Sequence, residues 1–140
     1  MIPDKKLLAV ETAKLVVDGA ASFQKAGCGG YLKEVSGNIR GIFSCPLDAL
    51  GSEYAELMAI YIGLTLVREA NWFGHQAIVV ESDAKVVLGW ISTKEQRHCR
   101  WWKIFYELDW VDSALIGAGS GFYCAYNGTG LVFDSFKGLT

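Results

Sequence analysis

The hydrophobic pattern of this chain changes period at Ser52, and this change limits the folds that the chain can adopt. Before Ser52, apolar and β-branched residues form three short runs, at 14–18, 26–35 and 39–45, and a turn sequence at 36–38 separates the last two. The glycine and asparagine of that turn tolerate the positive φ angles that tight hairpins require. The sequence therefore predicts three antiparallel strands at the start of the domain.

After Ser52, apolar residues recur at intervals of three and four as far as Asn71, which predicts one long helix with Ser52 as its N-cap. The β-branched run 76–80 predicts a buried strand, and helices are expected at 84–91 and from Trp101 to Leu108 or Val111. A strand at 122–126 and a helical turn at 132–136 complete the prediction. Strands that alternate with helices indicate an α/β fold with helices flanking a mixed sheet.

Length and composition predict one ordered domain. The chain has 140 residues, of which 51% are hydrophobic, which suits a single core but not two domains. We place the core at about 14–137 and treat 1–13 as an N-terminal extension. No segment has the length of a membrane span or the pattern of a signal peptide. The formal net charge of -2 means that phosphate binding would require a local basic surface or bridging cations.

The cysteines and histidines do not form a recognisable metal motif. Cys28, Cys45, Cys99 and Cys124 are scattered without a paired spacing, and neither histidine completes a zinc signature. We therefore expect reduced thiols in an intracellular protein, in the nucleus or the cytoplasm. Cys28, between glycines on a strand, is interpreted as a small core residue.

Three acidic residues stand where predicted strands end or among apolar helix positions. Asp18 and Asp83 each close an apolar strand, and Glu56 lies one turn into the long helix. If the two strands are adjacent, these carboxylates converge on one edge and repel each other unless a cation neutralises them. Carboxylates that hold two divalent cations about 4 Å apart suit phosphodiester hydrolysis. A structural role, as strand-end turns and a first-turn helix acid, stays open for each residue taken alone.

Four segments resemble, in order and spacing, the ribonuclease H family: VVDGAA at 16–21, AGCGG at 26–30, AELMA at 55–59 with the following GL, and VESDAK at 80–85. The closest resemblance is to the plant group found in retroelement reverse transcriptases and in stand-alone proteins. It runs from about 14 to 91 and more faintly to 134. It implies a ribonuclease H-like fold with a mixed five-stranded sheet, an RNA·DNA hybrid substrate and Mg²⁺, with Mn²⁺ as a substitute. It also implies a fourth ligand, Asp134, beside Asp18, Glu56 and Asp83.

The chain departs from the family pattern near its C-terminus. Cys124 stands where the family has a histidine, so we expect slower turnover with cation binding retained. The loop after Asp18 is short, and its backbone is expected to lie near ribose hydroxyls, which distinguish RNA from DNA. Lys85 fits an exposed helix position as well as a phosphate contact. The residues predicted to contact substrate are Gly19, Ala20, Ala21, Ser22, Ser52 and Lys85.

A cluster of aromatic and basic residues lies just before the third predicted helix and in its first residues. It is compatible with a ridge that supports a duplex backbone, although a core-facing position is favoured for Trp101. The cluster consists of Arg97, His98, Arg100, Trp101, Trp102 and Lys103.

Two functions of different classes are compatible with these residues. The first is a metal-dependent endonuclease that cuts the RNA strand of a hybrid without a covalent intermediate. The second is a catalytically weak or inactive module that binds nucleic acid or protein. A DNA-directed nuclease of the wider superfamily fits the glycine-rich hairpin and the AELMA helix less well. We expect a monomer with no membrane partner, compatible with derivation from a larger reverse-transcriptase-related protein.

Overall fold

A mixed sheet of six strands, in the order β3-β2-β1-β4-β5-β6, forms the centre of the fold. The structure, a computed structural model, describes the backbone of residues 13–70, 78–117, 122–126 and 132–134 and the side chains of 13–70 and 78–113. The strands β1 (Ala13–Ala21), β2 (Ala26–Lys33) and β3 (Ile39–Leu47) pair antiparallel, as predicted. The strands β4 (Ile78–Ser82) and β5 (Phe122–Tyr126) run parallel to β1, and β6 (Val132–Asp134) returns antiparallel along β5.

The described helices are α1 (Ser52–Glu69), α2 (Lys85–Ser92) and α3 (Trp102–Gly117), and two short 3₁₀ turns, Lys94–Gln96 and Cys99–Trp101, connect the last two. Helix α1 packs on β1 and β2, and α3 packs against α1. Fully buried aliphatic side chains form the core between the sheet and the helices: Leu15, Leu57, Ile60, Leu64, Ile78, Val80, Leu88, Ile91 and Leu108. Within the described ranges, no helix combines the length and the apolar character needed to cross a membrane.

The predicted α/β architecture is confirmed, whereas the predicted N-cap of the long helix is wrong. Ser52 is the first residue of α1, and Gly51 occupies the cap position with a φ of 104°. This conformation favours glycine because a Cβ would be strained there. No side chain of the described residues caps the helix, so its first turn lacks the hydroxyl cap that the sequence indicated.

The prediction of a helical turn at 132–136 is also wrong for residues 132–134, which the structure describes. Residues 132–134 form β6 instead, because they pair with the outer edge of β5 and so extend the predicted five-stranded sheet by one short strand. Residues 135 and 136 lie outside the described ranges. The first two residues of the strand predicted at 76–80 also lie outside the described ranges. The N-terminal extension lies outside them too, except Ala13, which begins β1.

Candidate metal centre

Three carboxylates converge at one end of the sheet, from β1, α1 and the turn after β4. One carboxylate oxygen from each of Asp18, Glu56 and Asp83 lies within 4.8 Å of those from the other two. The parallel pairing of β1 with β4 sets Val16 opposite Glu81, and two further residues bring both strands to the level of the two aspartates. The structure thus brings together the three acids that the sequence singled out, and their role as ligands stays a prediction.

The glycine that follows Asp18 allows α1 to approach β1. A Cβ atom on Gly19 would overlap the backbone of Ala55 and lie 2.5 Å from the amide nitrogen of Glu56. Packed protein interiors do not accommodate such an overlap, so any side chain at position 19 would push the first turn of α1 away from the sheet. Gly19 was predicted to contact substrate; in the structure it is buried at the contact between β1 and α1.

Burial and repulsion make the ionised form of Glu56 costly. Burial raises the pKa of Glu56 above its usual 4.5, and the carboxylates of Asp83, Asp18 and Glu53 raise it further. A hard divalent cation would relieve this repulsion, because carboxylate oxygens are the ligands that Mg²⁺ and Mn²⁺ prefer. The donor set and its spacing therefore fit a divalent cation.

The turn that carries Asp83 is held by a serine that the sequence reasoning did not single out. The hydroxyl of buried Ser82 accepts a hydrogen bond of 3.1 Å from the Ala84 amide, and the Asp83 carbonyl accepts one of 3.1 Å from the Lys85 amide. Together they turn the chain from β4 into α2 and fix the place of Asp83. The signal available in the sequence was a serine two residues after the predicted apolar strand 76–80, where such local turns are common.

The two C-terminal candidates lie elsewhere in the sheet. Asp134 pairs with Tyr123, which pairs with Val79, so the Asp134 backbone lies two strands from β4 and roughly 13 Å along the strands from the level of Asp83. Cys124 lies in the middle of β5 rather than in a loop at the carboxylate end. This register does not bring either backbone to the three carboxylates, and the roles of both residues stay predictions.

An open groove of about 560 Å³ lies beside Asp18. It forms where β2 contributes Gly27 and Gly29, which have no side chains to fill the surface of the sheet. Exposed Ala20, predicted to contact substrate, also lines the groove. A strand-like or duplex ligand can therefore approach Asp18 from solvent without displacing a side chain.

The remaining residues predicted to contact substrate lie at the end of β1, in the turn after it, and at the starts of α1 and α2. Ala21 is half-buried at the end of β1, and Ser22 is exposed in the next turn, where its hydroxyl donates to the Lys25 carbonyl and accepts from the Lys25 amide, both at 3.2 Å. Ser52 and Lys85 are exposed at the starts of α1 and α2. Ser22 therefore holds the turn between β1 and β2, whereas Ser52 and Lys85 are available to a ligand.

A second groove, of about 280 Å³, lies at the N-terminus of α1. Ser52, Glu53, His98, Arg100 and Trp101 contribute to its lining. The Nδ1 atom of His98 accepts a hydrogen bond of 3.1 Å from the Arg100 amide, which joins the two basic residues in one turn. The uncapped helix end and the Arg100 guanidinium favour an anion, and the carboxylate of Glu53 opposes one.

The predicted ridge of aromatic and basic residues is only partly on the surface. Trp101 packs against the core, with its ring 5.0 Å from that of Tyr54, as the core-facing interpretation predicted. Arg97 is turned inward, where it donates a hydrogen bond of 2.8 Å to the Trp90 carbonyl and pairs with Asp109 at 3.3 Å. The exposed part of the ridge consists of His98, Arg100, Trp102 and Lys103.

The strand order, the helix against β1 and the convergent carboxylates together define a ribonuclease H-like domain. Comparison with known proteins leads to the same class, because the reverse transcriptase-like family matches residues 16–113. The chain belongs to this family of ribonuclease H domains. The matched range runs from β1 into α3 and includes all three carboxylates.

Solved structures share this fold at low sequence identity. LC11 ribonuclease H1, in complex with an RNA/DNA hybrid, has a TM-score of 0.67 and 14% identity over 83% of this chain and 86% of that chain. Ribonuclease H1 from Halobacterium salinarum has a TM-score of 0.62 and 16% identity over 85% and 89%. The foamy viral protease-reverse transcriptase in complex with RNA/DNA hybrid has a TM-score of 0.55 and 18% identity over 92% of this chain and 19% of that chain. None of the curated protein sequences matches the chain.

Proposed function

We propose that this domain is a metal-dependent endonuclease that cleaves the RNA strand of RNA·DNA hybrids. The observation that carries the proposal is the convergence of Asp18, Glu56 and Asp83 within 4.8 Å at the rim of an open groove. Such a cluster is costly unless it binds a cation. A hybrid is also the ligand of two structural relatives, LC11 ribonuclease H1 and the foamy viral reverse transcriptase.

The three carboxylates would hold Mg²⁺, or Mn²⁺ in its place, as a pair of cations between β1, the start of α1 and the turn after β4. Divalent cations held there would supply activation of a water molecule and neutralisation of the departing oxygen in phosphodiester hydrolysis. Residues of the chain position the carboxylates. Gly19 sets the separation of β1 from α1, and Ser82 fixes the turn that carries Asp83. Because Asp18 and Asp83 are exposed, a phosphate can reach them from solvent.

Surfaces on either side of the carboxylates would hold the two strands of the hybrid. The backbone of Ala20 and Ala21 and the turn at Ser22 would lie near ribose hydroxyls of the RNA strand. The groove at the start of α1, with Ser52 and Arg100, would take a phosphate of the other strand. The ammonium group of Lys85 would add a positive charge near Asp83 for a phosphate of the substrate.

The altered C-terminal residues would reduce turnover more than cation binding. A thiol at position 124 ionises at a higher pH than imidazole and is a poorer proton carrier near neutral pH. As the fourth ligand, Asp134 would require a different placement of the segment 132–134 from the one paired with β5. The three remaining carboxylates would still bind a cation, so slow cleavage is the expected behaviour.

The test is cleavage of a labelled RNA·DNA hybrid by the purified chain in Mg²⁺ and in Mn²⁺, with double-stranded RNA and double-stranded DNA of the same sequence as substrate controls. Asp18→Asn preserves side-chain size and removes one ligand charge, so it is the matched inactive variant. Metal-dependent cleavage of the RNA strand alone, lost in Asp18→Asn, supports the proposal. Absence of cleavage by folded protein with either cation would overturn the enzymatic function.

The second candidate is a catalytically weak or inactive module that binds nucleic acid or protein. The placement of Asp134 on β6 favours it, because it leaves the four-acid site incomplete, and so does the cysteine at position 124, because it replaces the family histidine. Hybrid binding without cleavage, measured by fluorescence anisotropy with Ca²⁺ or Mg²⁺, would support this candidate. Equal affinity for hybrid and for duplex DNA would argue against a hybrid ligand.

The biological setting is part of the same proposal. The foamy viral match covers 19% of that chain, so a domain of this fold forms part of a longer protein there, a protease-reverse transcriptase. We propose that the present domain derives from a retroelement reverse transcriptase, of the plant type that the sequence resembles, and acts as a monomer in the nucleus or cytoplasm. The elution volume in size-exclusion chromatography tests whether the protein is monomeric.

A further inference from the structure

Two cysteines face each other across the antiparallel pair β2 and β3. Cys28 and Cys45 are direct register partners, so their side chains project from the same face of the sheet. Directly opposed residues of antiparallel strands have Cβ atoms roughly 4.5–5.5 Å apart, and a disulfide requires roughly 3.5–4.5 Å. A contraction of about 1 Å or less between the strands would therefore permit a bond between the two sulfur atoms.

The two thiols differ in their access to solvent. Cys28 is 6% exposed and belongs to the hydrophobic core, whereas Cys45 is only half-buried, on the edge strand β3. Burial raises the pKa of the Cys28 thiol to about 11, with a further contribution from the adjacent Cys45. A reagent from solvent therefore meets Cys45 first, and Cys28 lies opposite it as the second thiol.

We propose that Cys28 and Cys45 form a modification site, at which a low-molecular-weight disulfide such as oxidised glutathione converts the two thiols into a reversible cross-strand disulfide. The Cys45 thiolate attacks the reagent disulfide, forms a mixed disulfide and releases one thiolate. The Cys28 thiolate then attacks the Cys45 sulfur and releases the second thiolate. The protein loses two electrons and two protons, and one reagent disulfide is reduced to two thiols.

The geometry makes this bond reversible rather than structural. A disulfide that draws two strands together stores strain, and strained disulfides are reduced more readily than relaxed ones. The second step depends on the Cys28 thiolate, so its rate should rise by about tenfold for each pH unit below the pKa of Cys28. The site is independent of the proposed nuclease function, because its chemistry involves neither the carboxylates nor nucleic acid.

Peptide mapping of the folded wild-type chain tests the site directly. The chain is incubated with oxidised glutathione in a mildly alkaline buffer, free thiols are blocked with iodoacetamide, and the protein is digested with trypsin without reduction. Trypsin releases Cys28 in the peptide Ala26–Lys33 and Cys45 in the peptide 41–68, whereas exposed Cys99 is released in the tripeptide 98–100. The expected product is the first peptide joined to the second, with the loss of two hydrogen atoms and reversal by dithiothreitol.

Matched variants and an unfolded sample separate the possible outcomes. Cys99→Ala should leave the linked peptide unchanged, whereas Cys45→Ala should abolish it and leave Cys28 unmodified. Glutathione attached to Cys45 or Cys99 without a linked peptide would overturn the proposal. A linked peptide that forms in urea but not in the folded chain would also overturn it, because the register would then not bring the thiols together.

Discussion

Replacing Gly19 with alanine tests whether the contact between β1 and α1 sets the geometry of the carboxylates. The new Cβ would lie 2.5 Å from the Glu56 amide nitrogen, where ordinary contacts begin at 3.4 Å, so the two backbones must separate by about 1 Å. Overpacking of this kind costs about 2–3 kcal/mol of unfolding free energy, or roughly 10 °C in melting temperature. The same movement carries Glu56 away from Asp18 and should weaken cation binding by about tenfold.

The measurements are thermal unfolding by circular dichroism, with and without Mn²⁺, and Mn²⁺ affinity by calorimetry. Gly27→Ala, on the neighbouring strand β2, is the matched control. Its Cβ would lie 3.4 Å from the carbonyl oxygen of Cys45, which is an ordinary contact distance. We expect that control to stay within about 1 kcal/mol of the wild type with unchanged Mn²⁺ affinity. Wild-type stability and affinity in Gly19→Ala would refute the reasoning.

Further substitutions separate the electrostatic, ligand and packing roles. Because the pKa of Glu56 is raised in the folded state, its contribution to the unfolding free energy is lost as the pH rises above 4.5. In urea unfolding without divalent cations, Glu56→Gln should therefore become more stable relative to the wild type from about pH 4 to pH 7. A difference in unfolding free energy that stays constant over this range would contradict the raised pKa. Asp18→Asn should lower Mn²⁺ affinity by about tenfold or more; retained affinity would exclude Asp18 as a ligand. Asp134→Asn should change affinity less than about twofold given its place on β6, and a loss equal to that of Asp18→Asn would place Asp134 in the site. Arg97→Met removes the donor to the Trp90 carbonyl and should lower unfolding free energy by about 2 kcal/mol without changing Mn²⁺ affinity, and an unchanged urea midpoint would count against it.

The regular elements of the first two thirds of the chain could be predicted because their patterns are local. Alternating burial along β1 and the three- and four-residue spacing of α1 are properties of adjacent residues. The cap at Gly51 could not be read in the same way, because serine is the commoner cap and only the backbone angle distinguishes the two positions. Strand β6 was missed for a different reason: a three-residue strand depends on pairing with β5, which no local pattern records.

The carboxylate cluster could be predicted in part because each acid ends or interrupts an apolar element. Asp18 lies in the second half of β1 and Asp83 follows β4, and parallel strands that are neighbours bring their carboxyl ends together. The surroundings of the cluster were less accessible to sequence reasoning. The inward turn of Arg97 toward Asp109 depends on how α3 packs, and the burial of Gly19 depends on how closely α1 approaches.

The pairing of β1 with β4 also determines when the carboxylates can meet during folding. Asp18 and Glu56 belong to one continuous segment, in which hairpins connect the strands and α1 follows directly. Asp83 joins them only after β4 has docked beside β1, which requires closure of the long intervening stretch of chain. Pairing of strands that lie far apart in the sequence is slow compared with hairpin formation, because the entropy of loop closure is lost before the contacts form. A cation that needs all three carboxylates therefore binds after the non-local pairing has formed, and it should slow unfolding by holding β4 in place rather than speed the formation of the first hairpins.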